Sequence, residues 1–471
     1  MPSLFSTRRA RGREPGTLGR MSSDLVARVD EALPVHRALL EDLVRIPSVS
    51  ADAFDQAKVR ESAEFVARMA RERGFDVDII ELETPQGKGR PAILAHKHVG
   101  DDKPTILLYA HHDVQPQGTL DGWESDPFEP VEKNGRLYGR GTADDKAGVL
   151  VHMAAISALG DDLAVNVTLF IEGEEEIGSP TFHAFLETYR DRLEADAIVV
   201  ADSGNWKVGV PSLTTSLRGV VRLGVEVSTL THGVHSGQYG GPTLDAVTAL
   251  ARIIATLHDE NGDVAVPGLD AWDDADVDYE EEHLRRDAAI LPGMQLLGTG
   301  SFNSRMWTKP SIAVIGMDVT STAEASNTVI PSARAFLSMR VAPGQDPQRA
   351  GELLAEYIEA QAPFGATVVT EVAEAGSGFK AGEDTPIMHL AREALSEAFG
   401  HESVDIGTGG SIPFISDLAE VFPEAEILVT GVEDPDARAH AHNESLHLGD
   451  WRNAILAEAL LLEKLGAGES R

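Results

Sequence analysis

The chain has 471 residues and no cysteine, and its 76 acidic residues against 40 Lys and Arg give a formal net charge of −36. This acidity would repel nucleic acids and anionic membranes, and the lack of cysteine excludes disulfides, thiolate nucleophiles and sulfur-ligated metals. With 42% hydrophobic residues and a length typical of about two or three domains, the chain is expected to fold rather than stay disordered.

The first 20 residues differ from the rest of the chain, because they carry five arginines and a single acid, Glu14. They contain no apolar segment of a secretory signal, and no stretch of the chain reaches the roughly 18 apolar residues that span a bilayer. We therefore predict a disordered basic tail over residues 1–20, or translated sequence upstream of a start at Met21. The body is expected to be a soluble cytoplasmic protein that binds neither membranes nor nucleic acid.

Helical and strand patterns alternate through the first part of the chain. Apolar residues recur at helical spacing over 24–46 and 57–73, and short runs rich in β-branched residues follow at 75–80, 91–95 and 105–110. The alternation predicts an α/β fold in which helices cover a sheet. The same pattern resumes after Phe379, so one domain is predicted to comprise residues 21–213 and 379–471.

Four apolar runs in this domain, each predicted as a strand, are followed by side chains that bind metals. These are 105–110 before His111 and Asp113, 166–171 before the acids at 172–176, 197–200 before Asp202, and 426–431 before His440. Ligands gather beyond the carboxyl ends of strands in open α/β sheets, so we expect these side chains to meet. Adjacent acids repel one another unless cations compensate, which favours a metal site held by His and carboxylates.

The segment 138–148 carries two further acids, Asp144 and Asp145, at the start of a predicted helix. Gly139 and Gly141 would allow a close approach of the backbone. The two aspartates fit a helix N-cap, which is a common use of Asp. A carboxylate at this place could instead bridge two ions, because each of its oxygens can bind one metal.

Residues 214–378 show a different order of elements and are predicted to form an inserted domain. Strands at 220–227, 311–319, 333–341 and 366–371 and helices at 243–257 and 347–362 follow one another as β-α-β-β-α-β, the ferredoxin-like arrangement. Residues 259–287 hold twelve acids and are expected to form a solvated surface. His235 lies in a Gly-rich loop, and Arg340, thirteen residues after Asn327, suits a substrate carboxylate.

Together these motifs resemble the M20 family of metallopeptidases, and within it the dipeptidase branch that includes the carnosinase-like enzymes. The resemblance runs from about Leu25 to Leu465 and rests on five motifs in the family's order. It implies a mixed-sheet, zinc-peptidase-like catalytic domain over 21–213 and 379–471. It also implies an inserted ferredoxin-like α+β lid over 214–378, through which a homodimer forms.

The resemblance further implies two divalent ions, Zn²⁺ or else Mn²⁺ or Co²⁺, bound by His111, Asp144, Glu176, Asp202 and His440, with Asp144 as the bridge. Glu175 would be the general base that activates a metal-bridging water to cleave a dipeptide. Asp113 would orient His111, and His235 would reach the other subunit's site to polarise the scissile carbonyl. The implied substrate-binding residues are Asn327, Arg340, Gly410 and Ser411. Gly407 and Thr408 occupy the positions at which animal carnosinases have Arg-Glu. The way in which those carnosinases recognise the substrate's amino end is therefore not expected in this chain.

Other functions remain open from the sequence. The nearest alternative is an N-acyl-amino-acid amidohydrolase of the same family, such as a deacetylase, desuccinylase or carboxypeptidase. The long acidic insertion at 259–287 favours the dipeptidase branch. A metal-binding dimer without catalysis is disfavoured by the intact ligand set, and a two-metal phosphoesterase by the lack of a basic cluster around Arg340.

Overall fold

The computed structural model describes residues 23–468 apart from Gln86, Asp274, Asp276, Glu383, Asp384 and Ser411, and it describes Ser23 and Asp287 without their side chains. The predicted basic tail, 1–20, lies outside the described residues. Within them, no helix combines the length and the apolar character needed to cross a membrane.

Helices and strands alternate along the described chain, as the apolar patterns predict. The helices are α1 (Ser23–Val44), α2 (Gln56–Glu72), α3 (Lys146–Leu159), α4 (Phe182–Thr188), α5 (Arg190–Leu193), α6 (Ser236–Tyr239), α7 (Ala246–Ile254), α8 (Glu281–Asp287), α9 (Phe302–Trp307), α10 (Pro347–Ala360), α11 (Pro386–Phe399), α12 (Pro413–Val421) and α13 (Leu448–Gly466). The strands are β1 (Asp76–Ile80), β2 (Glu83–Thr84), β3 (Gly87–Lys88), β4 (Ala92–Lys97), β5 (Thr105–His111), β6 (Val131–Lys133), β7 (Arg136–Tyr138), β8 (Asn166–Glu172), β9 (Ala197–Val200), β10 (Ser212–Leu217), β11 (Gly219–Ser228), β12 (Val234–His235), β13 (Ser311–Asp318), β14 (Thr328–Val329), β15 (Ser332–Val341), β16 (Thr367–Gly376), β17 (Phe379–Lys380), β18 (Val404–Thr408), β19 (Glu426–Val429) and β20 (Ser445–His447).

The largest sheet has six strands in the order β1-β4-β8-β5-β9-β19. β8, β5, β9 and β19 are parallel to one another, whereas β1 and β4 pair antiparallel at the other side. The sheet is therefore mixed, and the predicted α/β class is confirmed.

Side chains of the central strands alternate between two hydrophobic cores. On β5, Leu108 belongs to a core formed with α1, α2, α3, α11 and α13, while Tyr109 belongs to a core formed with α4 and α12. In the second core the Tyr109 ring stacks on Phe414 at 4.6 Å, and Phe170 stacks on Phe185 at the same distance. Helices therefore cover both faces of the sheet, so functional side chains are expected at the ends of its strands and in the loops that follow them.

A separate four-stranded antiparallel sheet has the order β13-β15-β11-β16. Apolar side chains of α7 and α10 pack on it and form a third core. β13 lies at one edge of this sheet, with Val314, Ile315 and Met317 exposed. β10 crosses the predicted boundary at residue 213 and pairs with β17 and β18. The role of this unit as a lid and dimerisation domain stays a prediction.

The acidic segment 259–287 is only in part the solvated surface expected from its charge. Its acids Asp273 and Glu280 are exposed, but Trp272 and Tyr279 are partly buried. The Tyr279 ring lies 5.2 Å from the ring of Trp206 in the loop after β9. The segment therefore packs its aromatic residues onto the domain that carries the candidate metal ligands.

Candidate metal centre

The predicted metal ligands lie together because their strands run in the same direction. β5, β8, β9 and β19 are parallel, so the residues that follow them meet at one edge of the sheet. β5 ends at His111, and Asp202 follows β9 by two residues. Glu175 and Glu176 lie in a 3₁₀ turn after β8, and His440 lies in the loop between β19 and β20.

Two groups of side chains have the spacing of metal ligands, and they share Asp144. The ligand atoms of His111, Asp144 and Asp202 lie within 4.8 Å of one another, as do those of Asp144, Glu176 and His440. Nε2 of His111 is 3.0 Å from Oδ1 of Asp144, and Nε2 of His440 is 2.9 Å from Oδ2 of Asp144. Nε2 of His440 is also 3.2 Å from Oε2 of Glu176. The two oxygens of Asp144 thus face different groups.

The electrostatics of this cluster fit divalent cations. Burial and then the charge of Asp202 raise the pKa of Glu175 to about 9, and burial and then Asp144 raise the pKa of Glu176 to about 7. Hydrogen bonds that His440 donates to Asp144 and Glu176 raise the pKa of His440 to about 11. These shifts indicate a site with excess negative charge. One His with two carboxylates in each group is a donor set that suits Zn²⁺, Mn²⁺ or Co²⁺.

Asp113 lies beside His111 rather than in either ligand group. Nδ1 of His111 is 3.3 Å from Oδ1 of Asp113, on the side of the ring away from Asp144. Oδ2 of Asp113 accepts a hydrogen bond from the backbone N–H of Glu176 at 3.1 Å. The buried Asp113 carboxylate therefore contacts one ligand of each group, a place suited to orienting them.

Asp145 does not cap helix α3, which was the simpler interpretation of the Asp144-Asp145 pair. Its side chain makes no capping hydrogen bond, and its Oδ2 accepts the backbone N–H of His111 at 3.1 Å. The peptide bond between the two aspartates is cis. A Cβ at Gly148 would clash with the Asp145 carboxylate, so glycine is required in the first turn of this helix.

A buried ion pair supports the loop that carries Asp144. Oε2 of Glu444 accepts a hydrogen bond from Nη1 of Arg140 at 2.6 Å. Oε1 of Glu444 accepts the backbone N–H groups of Ala143 at 3.0 Å and Asp144 at 3.2 Å. The sequence analysis assigned neither Arg140 nor Glu444 a role, although Glu444 closely follows the candidate ligand His440 in the sequence.

The structure does not bring His235 or Asn327 to the ligand groups of this chain. Both residues are exposed: His235 ends β12, and Asn327 directly precedes β14, which pairs with β12. The N–H of Ser236 donates to the carbonyl of Asn327 at 2.9 Å. Within the described residues, neither side chain makes a hydrogen bond or ion pair to a candidate ligand. Arg340 is partly buried on β15, and Gly410 follows β18. Ser411 lies outside the described residues.

Two charged residues near the site were not predicted. Burial and then the charges of Asp144 and Asp202 raise the pKa of Glu433, in the loop after β19, well above its usual value. Burial and then Arg340 lower the pKa of Arg218, which follows β10, to about 10. The position of Glu433 beyond a predicted strand end was the one sequence signal for it, and Arg218 had none.

A mixed α/β sheet with two His and carboxylate groups at its strand ends is typical of metal-dependent hydrolases. A family model for Peptidase family M20/M25/M40 matches residues 107–464, and the chain belongs to this family. The predicted resemblance and the predicted enzyme class, a metallopeptidase, are thereby confirmed.

Two curated relatives and one solved structure illustrate the similarity. The chain is 36% identical over 415 residues to the "Cysteinylglycine-S-conjugate dipeptidase" of Corynebacterium striatum, covering 86% of this chain and 90% of the relative. It is 28% identical over 444 residues to the "Beta-Ala-His dipeptidase" of Homo sapiens, covering 89% and 84%. The structure of the di-peptidase Dug1p from Saccharomyces cerevisiae matches with a TM-score of 0.72 and 22% identity, over 94% of this chain and 98% of that chain. These names confirm the resemblance to the dipeptidase branch.

Proposed function

We propose that this enzyme is a two-metal dipeptidase that hydrolyses the amide bond of an unblocked dipeptide. The observation that carries the proposal is the pair of ligand groups that share Asp144, with Glu175 beside them. The names of the relatives support dipeptides as substrates, since one acts on S-conjugates of cysteinylglycine and another on Beta-Ala-His.

In this proposal, each ligand group holds one ion. His111, Asp144 and Asp202 would hold the first, and Asp144, Glu176 and His440 the second. Divalent ions in these positions, Zn²⁺ above all, supply Lewis acidity that lowers the pKa of water and polarises an amide carbonyl. Asp113 keeps the His111 ring turned toward Asp144, because it contacts the opposite ring nitrogen.

Glu175 is the proposed general base. Its carboxylate makes no hydrogen bond or ion pair to another described residue, so it is available to a water molecule. Bound cations would offset the negative charges of Asp202 and Glu176 that raise its pKa, and would bring the pKa closer to the working pH. Glu175 then accepts a proton from the attacking water and delivers it to the nitrogen of the leaving amine, so that one water adds across the amide bond.

The substrate residues are proposed from the family resemblance and from their placement. Arg340 would bind the substrate's carboxylate, with Asn327, Gly410 and Ser411 as further contacts. His235 would act on the site of the other subunit. In support of this, the His235 side chain is exposed and separate from the ligand groups of its own chain.

The proposed homodimer forms through the edge of the sheet that contains β13. Val314, Ile315, Met317 and Val319 are 40–52% exposed on or next to this strand. An exposed apolar edge strand is a liability in a monomer, because its unpaired backbone and side chains favour pairing with another strand. A second copy of the chain would cover this edge.

A comparison of blocked and unblocked substrates tests the proposed function. The metal-stripped enzyme is reconstituted separately with Zn²⁺, Mn²⁺ or Co²⁺ and assayed with cysteinylglycine, its S-conjugates and β-alanyl-histidine. Each substrate is paired with its N-acetylated and N-succinylated counterparts. We expect higher kcat/KM on the free dipeptides, whereas a preference for the blocked compounds would establish an N-acyl-amino-acid amidohydrolase instead.

A further inference from the structure

A cavity of about 380 Å³ adjoins the candidate metal centre. Its wall contains Gly204 and Asn205, which follow the ligand Asp202, and Glu433. The loop after β9 and the loop after β19 are joined here, because the backbone N–H of Asn205 donates to the carbonyl of Glu433 at 2.7 Å. The volume lies at the small end of the range of about 300–1,000 Å³ seen for small-molecule sites, which suits a dipeptide better than a longer peptide.

Glu433 supplies a carboxyl group to this cavity. It lies close enough to Asp144, Asp202 and His440 to interact with them electrostatically, so this part of the cavity wall is near the candidate metal centre. It belongs to neither ligand group, and its carboxylate makes no hydrogen bond or ion pair to another described residue. A partly buried carboxylate that faces a cavity and pairs with no cationic side chain among the described residues is suited to an ammonium group.

Arg218 supplies a positive charge to the same cavity. It is only 8% exposed, and its Nε donates to the carbonyl of Gly409 at 3.1 Å. Its Nη1 lies 3.2 Å from the carbonyl of Lys309 and 3.2 Å from Oγ of Ser311. These partners are neutral, and among the described residues no carboxylate pairs with Arg218 and no acceptor reaches Nη2. A buried guanidinium without an anion is costly, so a ligand carboxylate would supply its missing partner.

Aromatic rings also line this cavity. The Trp206 ring lies 5.2 Å from that of Tyr279 and 6.1 Å from that of Trp307, both in edge-to-face geometry. Tyr279 belongs to the acidic segment, and all three residues line the cavity. Such rings offer a large, rigid apolar surface to a substrate side chain.

We propose that this cavity binds the dipeptide as a zwitterion, with its ammonium group at Glu433, its carboxylate at Arg218 and an apolar side chain against Trp206 and Tyr279. The inference rests on the proposed dipeptidase function and narrows its substrate class to unblocked dipeptides with a bulky apolar side chain. An N-acetylated substrate would leave the Glu433 carboxylate without a cation, which would disfavour its binding. Arg340, which lies near Arg218, would add a second positive charge at the carboxylate end.

Steady-state kinetics of the metal-loaded enzyme test this assignment with leucyl-glycine, N-acetyl-leucyl-glycine, leucyl-glycinamide and alanyl-glycine. Loss of a charge-assisted hydrogen bond predicts a fall of about 10- to 100-fold in kcat/KM. Glu433→Gln should show this fall, mostly through KM, on leucyl-glycine and not on its N-acetyl form. Arg218→Gln should lose the preference for leucyl-glycine over the glycinamide. Tyr279→Ala should narrow the preference for leucyl-glycine over alanyl-glycine.

The controls separate a specific effect from a structural one. Glu402→Gln and Phe364→Ala alter exposed residues away from the cavity and should leave all preferences unchanged. Metal content and the midpoint of thermal unfolding are measured for each variant. If Glu433→Gln does not fold, the same substrate comparison is made with Glu433→Asp. Unchanged preferences in folded, metal-loaded variants would overturn the assignment of the cavity alone. A wild-type enzyme that cleaves no unblocked dipeptide would overturn the proposed function itself.

Discussion

Replacing Glu444 tests how the chain holds the shared carboxylate of Asp144 in place. Glu444 is fully buried and pairs with Arg140, which is itself 1% exposed. Removing one partner of a buried ion pair typically costs about 3–5 kcal/mol, because the other charge stays buried without compensation. Burial raises the pKa of Glu444 even with Arg140 beside it, so part of the attraction already offsets desolvation and the lower end of this range applies.

We expect Glu444→Gln to lower the free energy of unfolding by about 3 kcal/mol, since a side chain of the same size keeps an acceptor for the N–H of Asp144. Glu444→Ala should cost more, because it also removes the acceptor for the N–H groups of Ala143 and Asp144. Urea unfolding of the metal-stripped protein measures the stability, and metal titration measures the effect on the site, where weaker binding is expected.

The matched control is Glu64→Gln, which breaks the exposed pair between Arg60 and Glu64 at 3.1 Å. An exposed pair of this kind contributes about 0–1 kcal/mol. If Glu444→Gln is no more destabilised than this control and binds metal as tightly as the wild type, the ion pair does not support the Asp144 loop.

Three further outcomes are expected. The raised pKa values, about 7 for Glu176 and about 11 for His440, mean that these side chains hold protons in the metal-free protein, and a bound ion must displace those protons. Calorimetry should therefore show proton release on metal binding and a metal affinity that rises from about pH 6 to pH 9. A metal affinity that does not change with pH would contradict this expectation. Gly431→Ala should weaken metal binding, because its Cβ would clash with the backbone of Ser203 beside Asp202, whereas Gly241→Ala has open space and should not. Ile315→Lys should convert the proposed dimer to a monomer, as measured by the molar mass from light scattering. A molar mass equal to that of the wild type would exclude the β13 edge as the dimer interface.

Several candidate ligands were predictable from sequence because they lie within a few residues of an apolar strand, whereas Asp144 precedes α3 and His440 lies well beyond β19. His111 ends β5 and Asp202 follows β9, so the local pattern alone assigned them to strand ends. Parallel strand direction then explains why they meet. The alternation of helical and strand patterns likewise sufficed for the α/β class, whereas the mixed sheet was implied by the family resemblance.

The supporting contacts were not predictable in this way, because they join distant parts of the chain. Arg140 and Glu444 are 304 residues apart, and Arg218 and Gly409 are 191 apart. No local periodicity encodes such a pairing. In the acidic segment, the charge pattern predicted the exposed acids but gave no sign of the contact between the rings of Tyr279 and Trp206, which lie far apart in the sequence.

In the proposed mechanism, Glu175 transfers the proton while other residues hold the ions. The most direct measurement compares kcat and metal content of Glu175→Gln with those of the wild type on the preferred dipeptide. We expect kcat to fall by about 10²–10⁴-fold with metal content unchanged, because a general base is removed and both ligand groups remain. A Glu175→Gln enzyme with normal metal content and near-normal kcat would exclude Glu175 as the general base.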